Sequence, residues 1–358
     1  MKKVLVTGAT GFIGGRLVAR LLELCDDVVC VVRNGSGLQG LETRGCSIVR
    51  GDVCHDSESL QLAMSGVDTV FHLAAVTSAV RPADLIGTNT RGMRNVLDAC
   101  AFQSIPPKLI FISSLAAVGP SVGQEAHYES DLLNPISPYG ESKAECERLA
   151  SEYSSRVPVS IVRPPIVLGG GDLKGLRLFR AIEKLGVHFV NGFTEKYFSV
   201  IHVDDLTTAI VRVAQDGLPV QATRAGQGVY FVSANETPSY AELGRIIGRE
   251  LGQRRTPTIP VPRFFMLGVA SINELVGRVT QRPAYLNLGK IKDAFAGSWI
   301  CSNQKILDEL DFSAERSFAD RVAQTVASYR DAGLLASSGK VPPAGPVSDQ
   351  GKVVKTPG

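Results

Sequence analysis

The sequence is poor in the features that mark several broad classes of protein. None of its seven cysteines, at 25, 30, 46, 54, 100, 146 and 301, forms a C-x-x-C pair. An odd, scattered set, partly inside apolar runs, excludes a disulfide framework and fits free thiols in a reducing, cytoplasmic compartment. The five histidines, at 55, 72, 127, 188 and 202, show no ligand spacing, so no structural or catalytic metal is expected. No apolar stretch reaches the ~18 residues that a membrane span requires, so no transmembrane segment is expected. Basic and acidic residues are interspersed at a net charge of +3, with no stripe of the kind that holds nucleic acid. The opening MKKVLVTGATGFIGG couples two lysines to an apolar run, but Thr7, Gly8, Thr10 and Gly11 break that run early. It reads as a buried first strand rather than a secretory leader.

What the chain does have is alternation. KVLVT (3–7), DVVCVVR (27–33), SIVRGD (47–52), DTVFHLA (68–74), KLIFISS (108–114) and VSIVRP (159–164) are short, nearly continuous apolar runs. Segments with helical spacing lie between them, notably 12–24, 87–103 and 137–153. Such alternation predicts an α/β fold of Rossmann type, a doubly wound parallel sheet covered on both faces. Beyond 164 the rhythm loosens, although 198–215 still reads as strand then helix and 228–233 as a strand. The expected organisation is a dinucleotide-binding domain over 1–163, with 201–234 returning to it. Segments 164–200 and 235–335 form a smaller substrate-binding domain. Residues 336–358 are rich in Pro, Gly and Ser without an aromatic residue, and are expected to be a disordered tail. The apolar segment RFFMLGVASINELVGRV is expected to be a helix packed into the core, in preference to one that caps a substrate or rests on a membrane.

Chemistry enters with VTGATGFIGG, which sets Gly8, Gly11 and Gly14 directly after a strand and at the opening of a helix. Residues without Cβ atoms let backbone approach a pyrophosphate, and a helix N-terminus offers free N–H groups and partial positive charge. The spacing is G-x-x-G-x-x-G rather than the general G-x-G-x-x-G, so the strand–turn–helix context carries the reading. The second strand ends VVRNGSG, with Arg33 where an NAD site usually presents an acid to the ribose. An arginine there suits a 2′-phosphate, which favours NADP(H) and leaves NAD(H) as the other candidate. The expected cofactor contacts are Gly8, Thr10, Gly11, Phe12, Ile13 and Gly14, then Arg33, Asp52 and Val53. Leu73, Ala74 and Ala75 after the fourth strand follow, with Tyr139 and Lys143.

Taken in order, TGATGFIGG, GDV, HLAA, TNTRGMRNVLDAC, FISSLAAVG, YGESK, VRPPIVLG and FSVIHVDDLTTAI resemble the extended short-chain dehydrogenases/reductases, the NAD-dependent epimerase/dehydratase superfamily. The resemblance covers roughly residues 3 to 330. VRPPIVLG is closest to the 3β-hydroxysteroid dehydrogenase and dihydroflavonol reductase branch. Tyr139 and Lys143, four apart on a helix, face the same way. A lysine ammonium beside a phenol is expected to lower the phenol's pKa from its usual ~10. Tyr139 would then exchange the proton of a substrate hydroxyl while the nicotinamide exchanges hydride at the same carbon. The resemblance further implies that Lys143 contacts the nicotinamide ribose and that Ser114 binds the substrate oxygen, in preference to Ser113. It implies that Asn89 supports the lysine.

Three functions stay open. The first is an oxidoreductase that interconverts a ketone and a secondary alcohol on an apolar small-molecule substrate. The second is a nucleotide-sugar epimerase or dehydratase, and the third a catalytically idle cofactor-binding protein. Ile166 favours the first, because nucleotide-sugar members of this superfamily commonly place an asparagine there. A homodimer is left open.

Overall fold

The computed structural model describes residues 1–38, 40–281 and 287–336. The tail expected to be disordered therefore lies, apart from Ala336, outside the described residues. The strands are β1 (Lys3–Thr7), β2 (Asp27–Val32), β3 (Ser47–Arg50), β4 (Thr69–His72), β5 (Lys108–Ile112), β6 (Val159–Arg163), β7 (Ile166–Leu168), β8 (His188–Asn191), β9 (Val200–His202), β10 (Val229–Phe231) and β11 (Thr258–Val261). The helices are α1 (Phe12–Leu21), α2 (Ser57–Ala63), α3 (Pro82–Phe102), α4 (Pro138–Glu152), α5 (Leu176–Leu185), α6 (Val203–Asp216), α7 (Tyr240–Glu250), α8 (Arg263–Thr280), α9 (Leu288–Phe295), α10 (Gln304–Leu310) and α11 (Phe318–Asp331).

Seven strands form one sheet in the order β10-β6-β5-β4-β1-β2-β3. Every pairing is parallel. This is the Rossmann-type doubly wound sheet expected from the alternation. Successive side chains of a strand go to opposite faces, and both faces here are dry. Val4 and Val6 join one apolar cluster with Leu17, Val18 and Leu21 of α1 and Leu206 and Ile210 of α6. Leu5 joins the other, with Leu60 of α2, Val96 and Leu97 of α3 and Leu149 of α4. The near-continuous apolar strands are thus the sequence signature of a sheet covered twice.

The chain leaves β1 toward β2 and β3, then returns to β4 on β1's other side. That reversal opens a crevice at the carboxyl ends of β1 and β4, where ligands bind in open α/β sheets. The loosened second half supplies two small parallel sheets, β7 with β9 and β8 with β11. Helix α8 departs from expectation. Ala270 is fully buried, yet Phe264 is 77% exposed, Leu275 65% and Val279 79%. The helix packs by a narrow seam, so most of its large apolar side chains find no core.

Candidate functional site

The crevice begins where β1 ends. Gly8 takes a left-handed φ of +74°, and a Cβ there would lie 2.7 Å from the Ala74 nitrogen. A Cβ on Gly14 would fall on the Gly8 carbonyl oxygen, so both positions exclude any side chain. Below the loop, Thr7 Oγ1 shares a 2.8 Å hydrogen bond with His72 Nδ1 and accepts one from the Ala74 N–H. Burial pushes the His72 imidazole down to about 3, with Lys143 adding to the shift, so it is a neutral strut. Gly11 caps α1 without a side-chain acceptor, and no acid stands in the first turn. The helix therefore presents uncapped N–H groups and its positive end to the crevice.

This crevice is a cleft of about 900 Å³. Gly8, Thr10, Gly11, Phe12, Ile13 and Gly14 line it, as do Leu73, Ala75, Ser114, Tyr139 and Lys143. The other sequence candidates stand apart from its walls. Ala74 lies beneath the loop against Gly8. Arg33 is exposed beyond the end of β2, and its carbonyl accepts from Arg50 Nη1 at 3.3 Å. Asp52 accepts the Cys54 N–H at 2.8 Å, and Val53 packs toward Gly92 of α3. Arg16, Lys143 and Lys174 line the cleft as basic side chains, and so does Arg44, whose Nη1 donates to the Gly15 carbonyl at 3.4 Å. Sequence reasoning missed it. It sits in a one-turn helix between β2 and β3 with no motif around it, and only its charge marks it out.

Helix α4 starts at Pro138, with the Ser137 hydroxyl accepting the Gly140 N–H at 3.3 Å. Tyr139 therefore projects from the first turn and Lys143 from the next. A Cβ on Gly140 would overlap the Ala116 carbonyl oxygen, so this turn packs directly on the loop after β5. That contact brings Tyr139 to Ser114. Ser114 caps the one-turn helix Leu115–Ala117, accepting from the Ala116 N–H at 3.1 Å, and hydrogen-bonds the Tyr139 phenol. Ser113 instead turns inward and donates to Glu147. Glu147 pairs with Arg163, Nη2 to Oε2 being 2.6 Å, and both side chains are only 4% exposed.

Lys143 Nζ donates to the Ile112 carbonyl at 2.7 Å and stands 5.9 Å from the Tyr139 ring centre. Burial pushes the lysine down to about 8 against the pull of Cys146 and Glu147. Burial also pushes the Tyr139 phenol up to about 12, and the Ser114 hydrogen bond only partly offsets this. The expected lowering by the ammonium is thus absent. Lys143 is tied to the end of β5 rather than to the phenol oxygen, so desolvation dominates. Asn89 is buried on α3 and clamps Val76, accepting its N–H at 2.8 Å and donating to its carbonyl at 3.0 Å. It also donates to Ser142 Oγ at 2.9 Å, which in turn donates to the Tyr139 carbonyl at 2.7 Å. Asn89 therefore reaches α4 through Ser142, a residue the sequence did not single out. Any small residue inside YGESK would have looked the same.

Beyond Ser114 the walls change character. A second cavity of about 530 Å³ is lined by Leu115, Pro165, Ile166, Phe198 and Trp299, with Asn191 and Asp293 among its polar groups. Ser114 belongs to both cavities. Burial holds the Asp293 carboxyl up to about 6, with a Ser137 hydrogen bond opposing.

The sequence model of the NAD dependent epimerase/dehydratase family matches residues 4–225. The chain is 27% identical to the 3beta-hydroxysteroid-dehydrogenase/decarboxylase isoform 2 of Arabidopsis thaliana, over 76% of this chain and 52% of that protein. It thus spans about half the length of this plant relative. It is 30% identical to the 2-alkyl-3-oxoalkanoate reductase of Shewanella oneidensis, over 77% of this chain and 73% of that one. Among solved structures, the Thermus thermophilus UDP-glucose 4-epimerase complex with NAD superposes with a TM-score of 0.71 at 22% identity, covering 92% of this chain and 99% of that one. At that identity the likeness is one of fold.

Proposed function

We propose, on the premise that this chain belongs to the NAD dependent epimerase/dehydratase family, that it interconverts a ketone and a secondary alcohol on an apolar substrate. The observation that carries this reading is the Ser114–Tyr139 hydroxyl pair, placed where the glycine-lined cleft meets the apolar cavity. The cleft fits a dinucleotide. Its loop excludes Cβ atoms where backbone must approach a pyrophosphate, and α1 aims unpaired donors at it. A bound nicotinamide would supply or accept the hydride.

The chain's own groups do the rest. In ketone reduction Ser114 donates a hydrogen bond to the substrate oxygen and Tyr139 donates the proton. In alcohol oxidation Tyr139 takes that proton back. Lys143 holds the ribose side of the cofactor and keeps positive charge near the phenol. Asn89 acts through Ser142, fixing the first turn of α4 and so the direction of the Tyr139 side chain. NADP(H) is the proposed cofactor, because no acid stands at the end of β2 while Arg33 and Arg44 flank the β2–β3 connection. Segments 164–200 and 235–335 would form the substrate side, with 1–163 and 201–234 the cofactor side.

An alternative is a nucleotide-sugar epimerase or dehydratase, favoured by Asn191 in the wall of the second cavity. Against it, Ile166 offers a sugar diphosphate no amide, and a strongly solvated diphosphate loses about 1–3 kcal/mol for each donor it fails to find. Calorimetric titration of the NADP-loaded protein with UDP, GDP, TDP and their sugars, beside a panel of apolar ketones, separates the two. NADPH oxidation by an apolar ketone with no nucleotide binding is the expected result. Micromolar binding of a nucleoside diphosphate would replace the reductase reading with the epimerase one.

A further inference from the structure

We propose that α8 seats the protein on an anionic lipid surface, with its outward apolar stripe sunk into the headgroup–acyl boundary. The residues of α8 that face outward are Phe264, Phe265, Gly268, Ser271, Ile272, Leu275, Val276 and Val279. Their spacing repeats every three to four positions, so they form one stripe along a helix about 27 Å long. Such a stripe on a soluble helix normally faces the core, and here it faces away from it. Phe264, Leu275 and Val279 each stay at least 65% exposed. The apolar surface continues past the helix. Phe193 is 81% exposed, and the preceding Gly192 N–H donates to the carbonyl of Val261, two residues before α8 begins. A contiguous patch of this kind on a folded protein marks an interaction surface.

Charge selects the occupant. Residues 254–295 carry seven basic side chains (Arg254, Arg255, Arg263, Arg278, Arg282, Lys290, Lys292) against Glu274 and Asp293, a net of +5. The whole chain carries only +3. Among the described side chains, Arg254, Arg255 and Arg263 are exposed ahead of α8 and at its start, and Lys292 is exposed on α9, which packs beside it. A two-fold contact between copies through α8 would set this charge against itself. An anionic headgroup layer meets it with opposite charge and solvates the apolar stripe as well. Among the described residues no helix is long and apolar enough to cross a membrane, so α8 would lie in the interface rather than span it.

The inner face of the same helix gives this seat a consequence. Glu274 and Gly277 line a cavity together with Ser137, Pro138 and Tyr139. A lipid-seated α8 would place that entrance at the bilayer surface. If the reductase reading holds, an apolar substrate would pass from the lipid to Tyr139 without crossing water.

The test is flotation of the full chain with vesicles of phosphatidylcholine alone and of equal parts phosphatidylcholine and phosphatidylglycerol. The protein should float with the anionic vesicles and much less with the neutral ones. Phe264→Glu combined with Leu275→Glu should cut the floating fraction at least about tenfold. Cofactor affinity and melting temperature should stay as in the wild type, which separates lost lipid contact from misfolding. Arg254→Glu with Arg255→Glu should weaken flotation and remove its dependence on anionic lipid. A wild-type protein that stays at the bottom of the gradient overturns the proposal. So does light scattering that shows a dimer split by the Phe264 and Leu275 changes, since the stripe would then belong to a second copy. Flotation needs no substrate, so failure of every ketone to oxidise NADPH would sink the reductase reading and leave this result standing.

Discussion

At the scale of single residues the proposed chemistry divides the site into groups that would move protons and groups that would aim them. Tyr139 stands at about 12, so it is a proton donor throughout the neutral range. Ketone reduction, which needs the phenol, should hold nearly constant from about pH 6 to about pH 7, while alcohol oxidation, which needs the phenolate, should climb with pH across the same span. Above that, the Lys143 ammonium titrates at about 8. A stopped-flow pH profile run in both directions reads this, and a reduction rate that falls sharply between about pH 6 and about pH 7 would assign the proton to another group. Tyr139→Phe should lower turnover by about 10²-fold or more with cofactor affinity nearly unchanged, because the ring's packing is retained and only the proton is lost. Lys143→Met should weaken both. The four catalytic candidates were legible because each occupies a place in an ordered string of motifs. Ser142 and Arg44 were not. Their neighbours in space, Asn89 and Gly15, are 53 and 29 positions away in sequence. On cofactor choice, NADPH should bind more tightly than NADH. Arg33→Asp should reverse that order if Arg33 carries the preference, and Arg44→Asp should do so if Arg44 carries it. Equal affinities in the wild-type protein, measured by calorimetry, would count against both arginines.

Helices and loops set the precision of the site. Gly140 lets α4 rest on the Ala116 carbonyl, and that contact places Tyr139 against Ser114. Gly140→Ala should push the helix off the loop and lower kcat at least about tenfold, since small misplacements of reacting groups are costly. Cofactor affinity should change less than turnover does. One turn beyond Lys143, Glu147 holds Arg163 and Ser113 in a site that water does not reach. Glu147→Ala should destabilise the protein by about 3–5 kcal/mol in urea unfolding, because Arg163 would keep its charge and lose its partner. A loss under 1 kcal/mol would mean that Arg163 escapes to solvent. The same scale shows where pattern reading failed. The apolar spacing of 263–279 predicts a helix with a core face, and the helix does form. Periodicity specifies that a stripe exists and leaves open whether protein, lipid or a partner covers it.

Over the whole molecule, burial of histidine ties stability to pH. Burial pushes His72 down to about 3 and His202 down to about 4, the latter against the pull of Asp204. The unfolded chain binds these protons near pH 6.5 while the folded chain refuses them. Stability is therefore full above pH 6.5 and is lost as pH falls toward 4. Asp293, raised to about 6, opposes part of this trend, because its folded form binds a proton more readily. His202→Asn isolates one contribution. The amide can keep the acceptor that His202 Nδ1 offers to the Asp204 N–H, but it does not titrate. The fall in melting temperature between pH 7 and pH 4.5 should shrink by at least ~2 °C in this variant. An unchanged fall would show that His202 does not titrate between these pH values.

By itself the sequence determined the sheet and the glycine loop at its crevice, and it marked out Ser114, Tyr139, Lys143 and Asn89 as candidates for the proposed chemistry. These depend on local rules, namely apolar runs buried on both faces, glycines where no Cβ fits, and a tyrosine and lysine one helical turn apart. Tertiary structure alone decided three things. It carried Arg44, rather than Arg33, to the wall of the cleft. It tied Lys143 to the end of β5, so that desolvation and not the ammonium governs the Tyr139 phenol. It turned the apolar stripe of α8 outward. Each depends on what a residue meets across the fold, and burial, charge and contact between distant segments are properties of the packed chain rather than of any stretch of it.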